Sequence, residues 1–377
     1  MVCHLINNPN NHIKKRLAAK YKTGFEAINE FNYFLEFRKV GGLEKQYSKP
    51  KTGNEIFYSE ENSSIFAAGY CIKDLRAALQ NFKIDYEIAG SQVLDRFEKY
   101  SAEKSSNRNS FRIMGILNVT PDSFSDGGKY YKLDNALDHA LGLLKDGADI
   151  IDIGGESTRP GADPVSESTE LGRVIPVIEK IKEKNSGAII SIDTTKSNVA
   201  RKALEAGAEI INDISGGVFD TEMLHLAAEK KVPMVLMHIK GDPKSMQKSP
   251  FYEDVIAEIY DYFSERVAAA KEAGVKDLII DPGIGFGKRV IDNFEIINRL
   301  REFKGLGLPI LAGLSRKSFI GKSLNLDMGQ RDDATISAEV YAALNGADII
   351  RTHNVQKAFE AKTILSLIEN PEAAVNV

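Results

Sequence analysis

The sequence predicts an α/β protein, a (β/α)8 TIM barrel preceded by a small α+β extension. Eight short runs rich in Ile, Val and Leu follow one another from residue 111 onward, and segments with helical periodicity separate them. Residues 111–377 also match the usual barrel size of about 250 residues. Finally, every apolar run ends in a polar residue. An open doubly wound sheet is the alternative, but it rarely needs eight such regular units.

The eight strand candidates, in chain order, are RIMGILN, ADIIDIG, GAIISID, AEIIND, VPMVLMH, KDLIID, LPILAGL and ADIIRTH. The polar residues at or just after their ends are Asn118, Asp152, Asp193, Asn212 with Asp213, His238, Asp281, Ser315 and Arg351 with His353. A barrel builds its site at the carboxyl ends of its strands. One or two polar ends would arise by chance, whereas eight on one rim predict a functional site.

A polar decapeptide, SAEKSSNRNS at residues 101–110, is typical of a domain linker. We therefore place an extension at residues 1–110 and the barrel at 111–377. The extension holds 15 of the 31 Phe and Tyr residues, too many for a disordered tail. Within it, residues 24–40 and 72–82 read as helices, and 64–71 and 83–90 as strands. Two roles stay open, an appendage that supports docking or dimer formation, and a cap over the site.

Composition narrows the possible partners and the compartment. A formal charge of -4 and a pI near 6.0 give no reason to expect nucleic acid or an anionic membrane as partner. Any anion must therefore be bound locally. Two distant cysteines without a metal-binding pattern fit a reducing compartment. Without a signal sequence or a run of about 18 apolar residues, we expect a cytoplasmic protein.

Seven motifs carry the chemistry of the predicted barrel. They are GILNVTPDSFSDGG, DIGGESTRPGADPV, SIDTTK, IINDISGG, DPGIGFGK, GLSRKSFIG and RTHNV. Together and in this order they resemble the motifs of dihydropteroate synthase, from about Arg112 to about Asn354. That family condenses 6-hydroxymethyl-7,8-dihydropterin pyrophosphate with p-aminobenzoate, which gives 7,8-dihydropteroate and pyrophosphate in folate biosynthesis. The resemblance implies that this protein catalyses the same reaction, with these two small molecules as its substrates.

A pterin is a flat heterocycle whose N–H edge needs acceptors and whose carbonyl needs a donor. By resemblance the acceptors are Asp193, Asn212 and Asp281, and the donor is Lys317. Met237 and Phe286 would form apolar walls. A lone Asp at a strand end is often only a cap, but three such residues on neighbouring strands with a Lys favour a site.

The pyrophosphate would be held at the last strand. Arg351 and His353 lie two residues apart, so their side chains leave an extended strand on the same face. The resemblance assigns both to pyrophosphate, and assigns Asn118 to a Mg²⁺ ion that bridges the phosphates. One protein ligand suffices, since Mg²⁺ takes most of its ligands from water and phosphate.

The first two loops resemble the family's substrate loops, which stay mobile until substrates bind. Phe124 and Pro160 would line the p-aminobenzoate ring. Ser318, at the start of a short helix, would receive the carboxylate. The loop residues that would order the closed site or stabilise developing charge are Asp122, Asp126, Thr158 and Arg159. We expect an SN1-like displacement without a strong general base.

Other interpretations stay open at this point. A methyltetrahydrofolate-dependent corrinoid methyltransferase would share the pterin-binding carboxylates, but it has no use for Lys317, Arg351 and His353. A catalytically silent pterin-binding barrel is the other alternative. GIGFGK and FIGKS are not phosphate loops, because each lacks a required glycine. The family resemblance also implies a homodimer.

Overall fold

The computed structural model describes residues 1–39, 55–59, 64–106, 111–120, 129–158 and 161–376. The chain divides into two compact units. The first consists of Met1–Ser106 with Arg301–Gly307, and the second of Asn107–Leu300 with Leu308–Val377. Among the described residues, no helix combines the length and apolar character that crossing a membrane requires.

The first unit is an α+β structure, as predicted. Its strands are β1 (Val2–Asn7), β2 (Tyr33–Arg38), β3 (Glu55–Ser59) and β4 (Ser64–Gly69). They form an antiparallel sheet in the order β1-β2-β4-β3. Its helices are α1 (Asn11–Lys20), α2 (Phe25–Asn29), α3 (Ile72–Leu79) and α4 (Ile84–Ser106). Helix α4 takes up six residues of the predicted linker, and residues 107–110 lie outside the described part.

Two sequence predictions within this unit are wrong. The sequence predicts one helix over residues 24–40, but within the described residues 24–39 only the short α2 is helical, and the strand β2 follows it. Strand β2 lies in the middle of the sheet and is buried on both faces, with Phe34 in one apolar cluster and Leu35 and Phe37 in another. A strand with two apolar faces lacks the alternation that separates strands from helices. Residues 83–90, expected as a strand, begin the 23-residue helix α4.

The first unit contains a buried carboxylate, Glu36, that is paired with cations. Glu36, 2% exposed, accepts hydrogen bonds from Lys20 Nζ at 2.8 Å, from the Tyr21 hydroxyl at 2.7 Å and from Arg38 Nη1 at 2.5 Å. Burial alone would raise the pKa of Glu36, but Arg38 and Lys20 outweigh it and hold that pKa at about 2. The carboxylate therefore stays ionised, and its three partners keep it satisfied.

The second unit contains eight parallel strands. They are β5 (Arg112–Asn118), β6 (Ile150–Gly154), β7 (Ile190–Asp193), β8 (Ile210–Asp213), β9 (Met234–Met237), β10 (Leu278–Asp281), β11 (Leu311–Gly313) and β12 (Ile349–Thr352). Their order is β10-β9-β8-β7-β6-β5-β12-β11. A parallel bridge between Ile280 and Ile310 joins the two ends. The predicted TIM barrel is confirmed.

Helices follow the strands around the barrel. They are α5 (Lys129–Lys145), α6 (Glu167–Lys184), α7 (Ser197–Glu205), α8 (Glu222–Lys230), α9 (Val255–Glu272), α10 (Val290–Asn298), α11 (Ser318–Leu324), α12 (Asp332–Leu344) and α13 (Val355–Glu369). Short 3-10 helices span Leu300–Leu306, Met328–Gln330 and Pro371–Asn376.

An apolar layer of side chains fills the barrel beneath its site. It takes one residue from seven of the strands: Met114, Ile150, Ile210, Val235, Ile279, Leu311 and Ile349, with Ile189 packed beside them just before β7. Side chains two residues apart on a strand share a face. On each strand, the residue two positions after the apolar layer therefore also points into the barrel, nearer the carboxyl end of the strand. The barrel thus places polar residues directly above its core.

Candidate functional site

Asp152, in the middle of β6, is the centre of a hydrogen-bonded cluster. It is fully buried, and its Oδ2 accepts a hydrogen bond of 3.0 Å from Asn212 Nδ2 and one of 2.6 Å from Arg351 Nε. Since the Asn212 amide nitrogen is used in this way, the Asn212 oxygen is left as an acceptor. The cluster draws together residues from β6, β8 and β12.

Arg351 also contacts Asp193, with 2.7 Å between Arg351 Nη2 and Asp193 Oδ2. Burial raises the pKa of Asp193 to about 7, with Arg351 acting against this rise and Asp152 adding to it. Burial would lower the pKa of Arg351, but the two carboxylates raise it instead. One guanidinium therefore pairs with two carboxylates and reduces the repulsion between them.

Asp281 and Met237 end the neighbouring strands β10 and β9. Asp281 is 6% exposed, and its Oδ1 accepts a hydrogen bond of 2.8 Å from the Gly283 amide. Burial raises the pKa of Asp281. Met237 is buried. With Asp193 and Asn212, Asp281 forms an arc of three carboxamide or carboxylate groups on β7, β8 and β10, with an apolar side chain on the strand between the last two.

Lys317 lies over the ring of Phe286, with 4.1 Å between its Nζ and the ring centroid. Gly285 makes this approach possible, since its φ is +86° and a Cβ there would lie 2.9 Å from Lys317 Cδ. Burial lowers the pKa of Lys317 to about 8, although Asp281 acts to raise it. An ammonium group and an aromatic face thus flank the same side of the rim.

His353 is held by a hydroxyl on a different strand connection from the carboxylates that hold Arg351. His353 Nδ1 lies 2.9 Å from the Ser315 hydroxyl, and its backbone amide donates to the same oxygen at 3.1 Å. Ser315 is buried and follows β11. It therefore fixes the orientation of His353, while the two carboxylates fix Arg351.

The segment after β11 is anchored by α12. Arg316 has a φ of +55°, which is uncommon for a residue other than glycine. Its Nε and Nη2 atoms donate to the two carboxylate oxygens of Asp332 at 2.7 and 2.9 Å. Ser318 begins the seven-residue α11, is exposed, and lines a cavity of about 500 Å³.

Comparisons with known proteins agree with this geometry. Residues 114–353 match the model of the pterin binding enzyme family. The dihydropteroate synthase of Escherichia coli K12 is 48% identical over 255 residues, which cover 67% of this chain and 90% of that protein. The chain belongs to the dihydropteroate synthase family. The predicted family and its transferase class are confirmed.

Solved structures of the dihydropteroate synthase family share the fold. The Yersinia pestis enzyme, solved as a sulfonamide drug complex, has 44% identity and a TM-score of 0.66, over 69% of this chain and 95% of that one. The Xanthomonas albilineans enzyme in complex with 7,8-dihydropteroate has 40% identity and a TM-score of 0.63, over 69% and 94%. The family match begins at residue 114, so it leaves the role of the first unit as an open prediction.

The structure locates the other predicted site residues only in part. Asn118 ends β5 and is half-buried, and Thr158 follows β6 and lines a cavity of about 340 Å³ together with Asp193. The remaining predicted loop residues lie outside the described part of the chain: Asp122, Phe124, Asp126, Arg159 and Pro160. Their roles stay predictions.

Three residues of this dihydropteroate synthase fold were not assigned from the sequence. Asp152 and Ser315 were noted only as polar strand ends, yet they hold Arg351 and His353 in place. Lys288 was considered only as part of a rejected phosphate loop, yet it is 3% exposed and fully hydrogen-bonded. The sequence feature that could have indicated a role for Lys288 is its position at the end of a glycine-rich turn, directly after a strand that carries a site residue.

Proposed function

We propose that this chain condenses 6-hydroxymethyl-7,8-dihydropterin pyrophosphate with p-aminobenzoate to 7,8-dihydropteroate and pyrophosphate. The observation that carries the proposal is the ring of polar side chains above the barrel core, in which Arg351 joins Asp152 to Asp193. This ring offers hydrogen-bond acceptors and a fixed cation within one pocket, as a pterin with an anionic leaving group requires.

The pterin would lie among the arc of acceptors. Asp193, the Asn212 oxygen and the free oxygen of Asp281 would accept its N–H groups, and Lys317 would donate to its carbonyl. Met237 and Phe286 would contact the two faces of the ring. Because these groups are buried or half-buried before a ligand arrives, few of them lose solvation on binding.

The pyrophosphate would lie toward β12. Arg351 uses Nε and one Nη2 donor for Asp152 and Asp193, which leaves further N–H donors for phosphate oxygens. His353, oriented by Ser315, would donate from its other ring nitrogen. The two residues would then both bind the leaving group, with Arg351 oriented by the carboxylates and His353 by Ser315.

A magnesium ion would bind beside Asn118. A Cβ added to Gly154 would lie 3.8 Å from Asn118 Oδ1 and 3.7 Å from Asp193 Oδ2, so both oxygens border the space that this glycine leaves open. The described residues contain no group of three or more His, Cys, Asp and Glu side chains that could hold a metal. A site with few protein ligands is what Mg²⁺ on a pyrophosphate uses, and it would stabilise the departing charge.

The p-aminobenzoate would bind between the loops and α11. Ser318 would hold its carboxylate, with Phe124 and Pro160 against its ring. Asp122, Asp126, Thr158 and Arg159 would order the closed site. Since the Yersinia pestis relative is solved with a sulfonamide drug, we expect sulfonamides to compete with p-aminobenzoate here.

The reaction would proceed by an SN1-like displacement. The bond between the exocyclic carbon and the pyrophosphate oxygen breaks first, and the electron-rich dihydropterin carries the positive charge. Arg351 and His353 stabilise the leaving group, and the carboxylates of Asp193 and Asp281 stabilise the cation. The aniline nitrogen then attacks that carbon and loses its proton to water, so no strong general base is needed.

Pyrophosphate release tests this proposal. The purified protein is mixed with the dihydropterin pyrophosphate and Mg²⁺, with and without p-aminobenzoate. Release that depends on p-aminobenzoate and yields dihydropteroate supports the proposal. Pterin binding without release would instead indicate a silent barrel, and absence of pterin binding would refute the assignment of the pocket.

A homodimer through α10, α12 and α13 is the proposed assembly. Exposed apolar side chains on these helices include Ile291, Phe294, Leu344, Ile364 and Ile368, each at least 46% exposed. Large exposed apolar patches mark interaction surfaces. Light scattering on the wild type and a Leu344→Arg variant tests this, since the variant should be monomeric. Equal masses would rule out this face.

A cytoplasmic location is proposed from the cysteines. Cys3 is buried and Cys71 is exposed, and both are free thiols. An exposed free thiol fits a reducing compartment.

A further inference from the structure

Lys288 lies buried at the end of the turn that follows β10. Its Nζ is 2.8 Å from the carbonyl oxygen of Gly283, 2.9 Å from that of Phe286 and 3.2 Å from that of His238. It is also 3.0 Å from Nδ1 of the His238 ring. One side chain therefore gathers three backbone carbonyls from two strand ends.

The turn packs tightly against the end of β9. Gly283 has a φ of +66°, and a Cβ there would lie 1.9 Å from the His238 carbonyl oxygen. The His238, Gly283 and Phe286 oxygens thus converge on one buried point. Carbonyl dipoles that converge out of water repel one another and need a cation or donor between them. Lys288 provides that donor.

His238 is suited to accept from Lys288. Burial, together with the charge of Lys288, lowers the pKa of His238, so its ring is neutral. The ring lies edge-on to Tyr262, with 4.9 Å between centroids. The Tyr262 hydroxyl lies 3.0 Å from the carbonyl oxygens of both Met237 and Ser215, within reach of either as a donor. The His238 ring, which accepts from Lys288, therefore packs on a tyrosine that contacts the ends of β8 and β9.

The rest of the turn is held by other side chains. Gln247 Nε2 donates to the Gly285 carbonyl at 2.7 Å, and the Tyr252 hydroxyl donates to the Gly287 carbonyl at 2.9 Å. The Gly285 amide donates to Asn293 Oδ1 at 2.6 Å. Of these side chains, Lys288 ties the turn directly to the end of β9, and the backbone adds a hydrogen bond of 2.9 Å from the His238 amide to the Asp281 carbonyl.

We propose that Lys288 is a positioning residue for the pterin substrate: it fixes the turn Asp281–Lys288 on β9, and so fixes Phe286 beneath Lys317 and Asp281 at the pterin edge. Lys288 is 3% exposed and acts through the turn. This inference rests on the proposed function. It predicts that loss of Lys288 weakens binding of the pterin pyrophosphate and leaves binding of p-aminobenzoate nearly unchanged.

The test compares Lys288→Met with the same change at Lys276, which is exposed and precedes β10 at its opposite end. Steady-state kinetics give KM for each substrate in the full-length protein. For K288M we expect KM for the pterin pyrophosphate to rise at least about tenfold while KM for p-aminobenzoate changes less than about threefold. K276M should match the wild type. An unchanged pterin KM, or equal rises in both KM values, overturns the inference.

Tyr252→Phe covers the case in which K288M fails to fold, because it removes one hydrogen bond to the same turn and keeps the aromatic ring. Its pterin KM should rise by about twofold to fivefold, again without an equal change for p-aminobenzoate. Calorimetric titration with the pterin pyrophosphate alone should show the same weakening. No change in pterin affinity for either variant refutes the role of the turn. A wild type without turnover would instead refute the proposed function.

Discussion

Arg351 and Asp193 are joined by a hydrogen bond of 2.7 Å between Nη2 and Oδ2. In the proposed complex, Asp193 binds the pterin and Arg351 binds the pyrophosphate. The two halves of one substrate are therefore bound by residues that contact each other. Any change in the charge of Asp193 therefore alters how strongly Arg351 is attracted to the carboxylates compared with the phosphates.

Asp193→Asn should abolish turnover while keeping the fold. The change removes an acceptor for the pterin and half of the counter-charge of Arg351, whereas Asp152 still holds the guanidinium. We expect kcat/KM to fall by at least about a hundredfold. The melting temperature should stay close to that of the wild type. Asp277→Asn, at an exposed position before β10, is the control. Near-normal turnover of D193N would show that the pterin site is assigned wrongly.

Activity should depend on pH in a bell-shaped way. The pKa of Asp193 is raised to about 7, so this carboxyl gains its charge as pH rises through that value. The pKa of Lys317 is lowered to about 8, so its ammonium is lost as pH rises further. Since binding needs both charged forms, kcat/KM should rise toward pH 7 and fall above pH 8. A flat profile from pH 6 to 9 would contradict this assignment.

Lys317→Met should remove turnover without unfolding the protein. The methionine keeps the aliphatic contact with Phe286 but loses the donor to the pterin carbonyl. A loss of about a hundredfold or more in kcat/KM is expected, measured as dihydropteroate formed. Lys276→Met, at an exposed position before β10, should behave as the wild type. Equal activities of the two variants would exclude Lys317 from the site.

The barrel and the arc of acceptors could be predicted because both follow from local patterns. Each strand candidate has an apolar run and a polar end, so Asp193, Asn212 and Asp281 were identified without coordinates. The partners of those ends were not predictable, since the bond between Arg351 and Asp152 joins residues 199 positions apart. Lys288 is missed for a similar reason, because the sequence shows the glycine-rich turn but not the point at which its backbone carbonyls converge.

The first unit shows a second limit of local patterns. Its strand β2 has apolar residues on both faces and so resembled a helix. The unit also includes Arg301–Gly307, in which Glu302 Oε2 lies 2.9 Å from Nε2 of the buried His4. Nothing in the composition near residue 300 indicates that this segment belongs to the first unit. The predicted boundary near residues 101–110 describes the start of the barrel but not this segment.

Glu339→Gln should flatten the dependence of stability on pH. Glu339 lies on α12 and is 3% exposed, and burial raises its pKa to about 8, although the Thr352 hydroxyl acts to lower it. The folded protein therefore keeps this proton up to about pH 8. The unfolded chain, in contrast, releases it above about pH 4.5, a normal glutamate value. Between these values the unfolded state binds fewer protons, so stability falls as pH rises, by up to about 1.4 kcal/mol per unit.

Glutamine stays neutral in both states and removes this contribution. Urea unfolding at pH 5.5 and pH 7.5 measures it, with the free energy of unfolding compared between the wild type and E339Q. Other buried carboxyls with raised pKa values, such as Asp193 and Asp281, contribute to both proteins alike and cancel. The wild type should lose more stability than E339Q over this range, and Glu360→Gln, an exposed change on α13, should follow the wild type. If E339Q loses as much stability as the wild type, Glu339 is ionised in the folded protein.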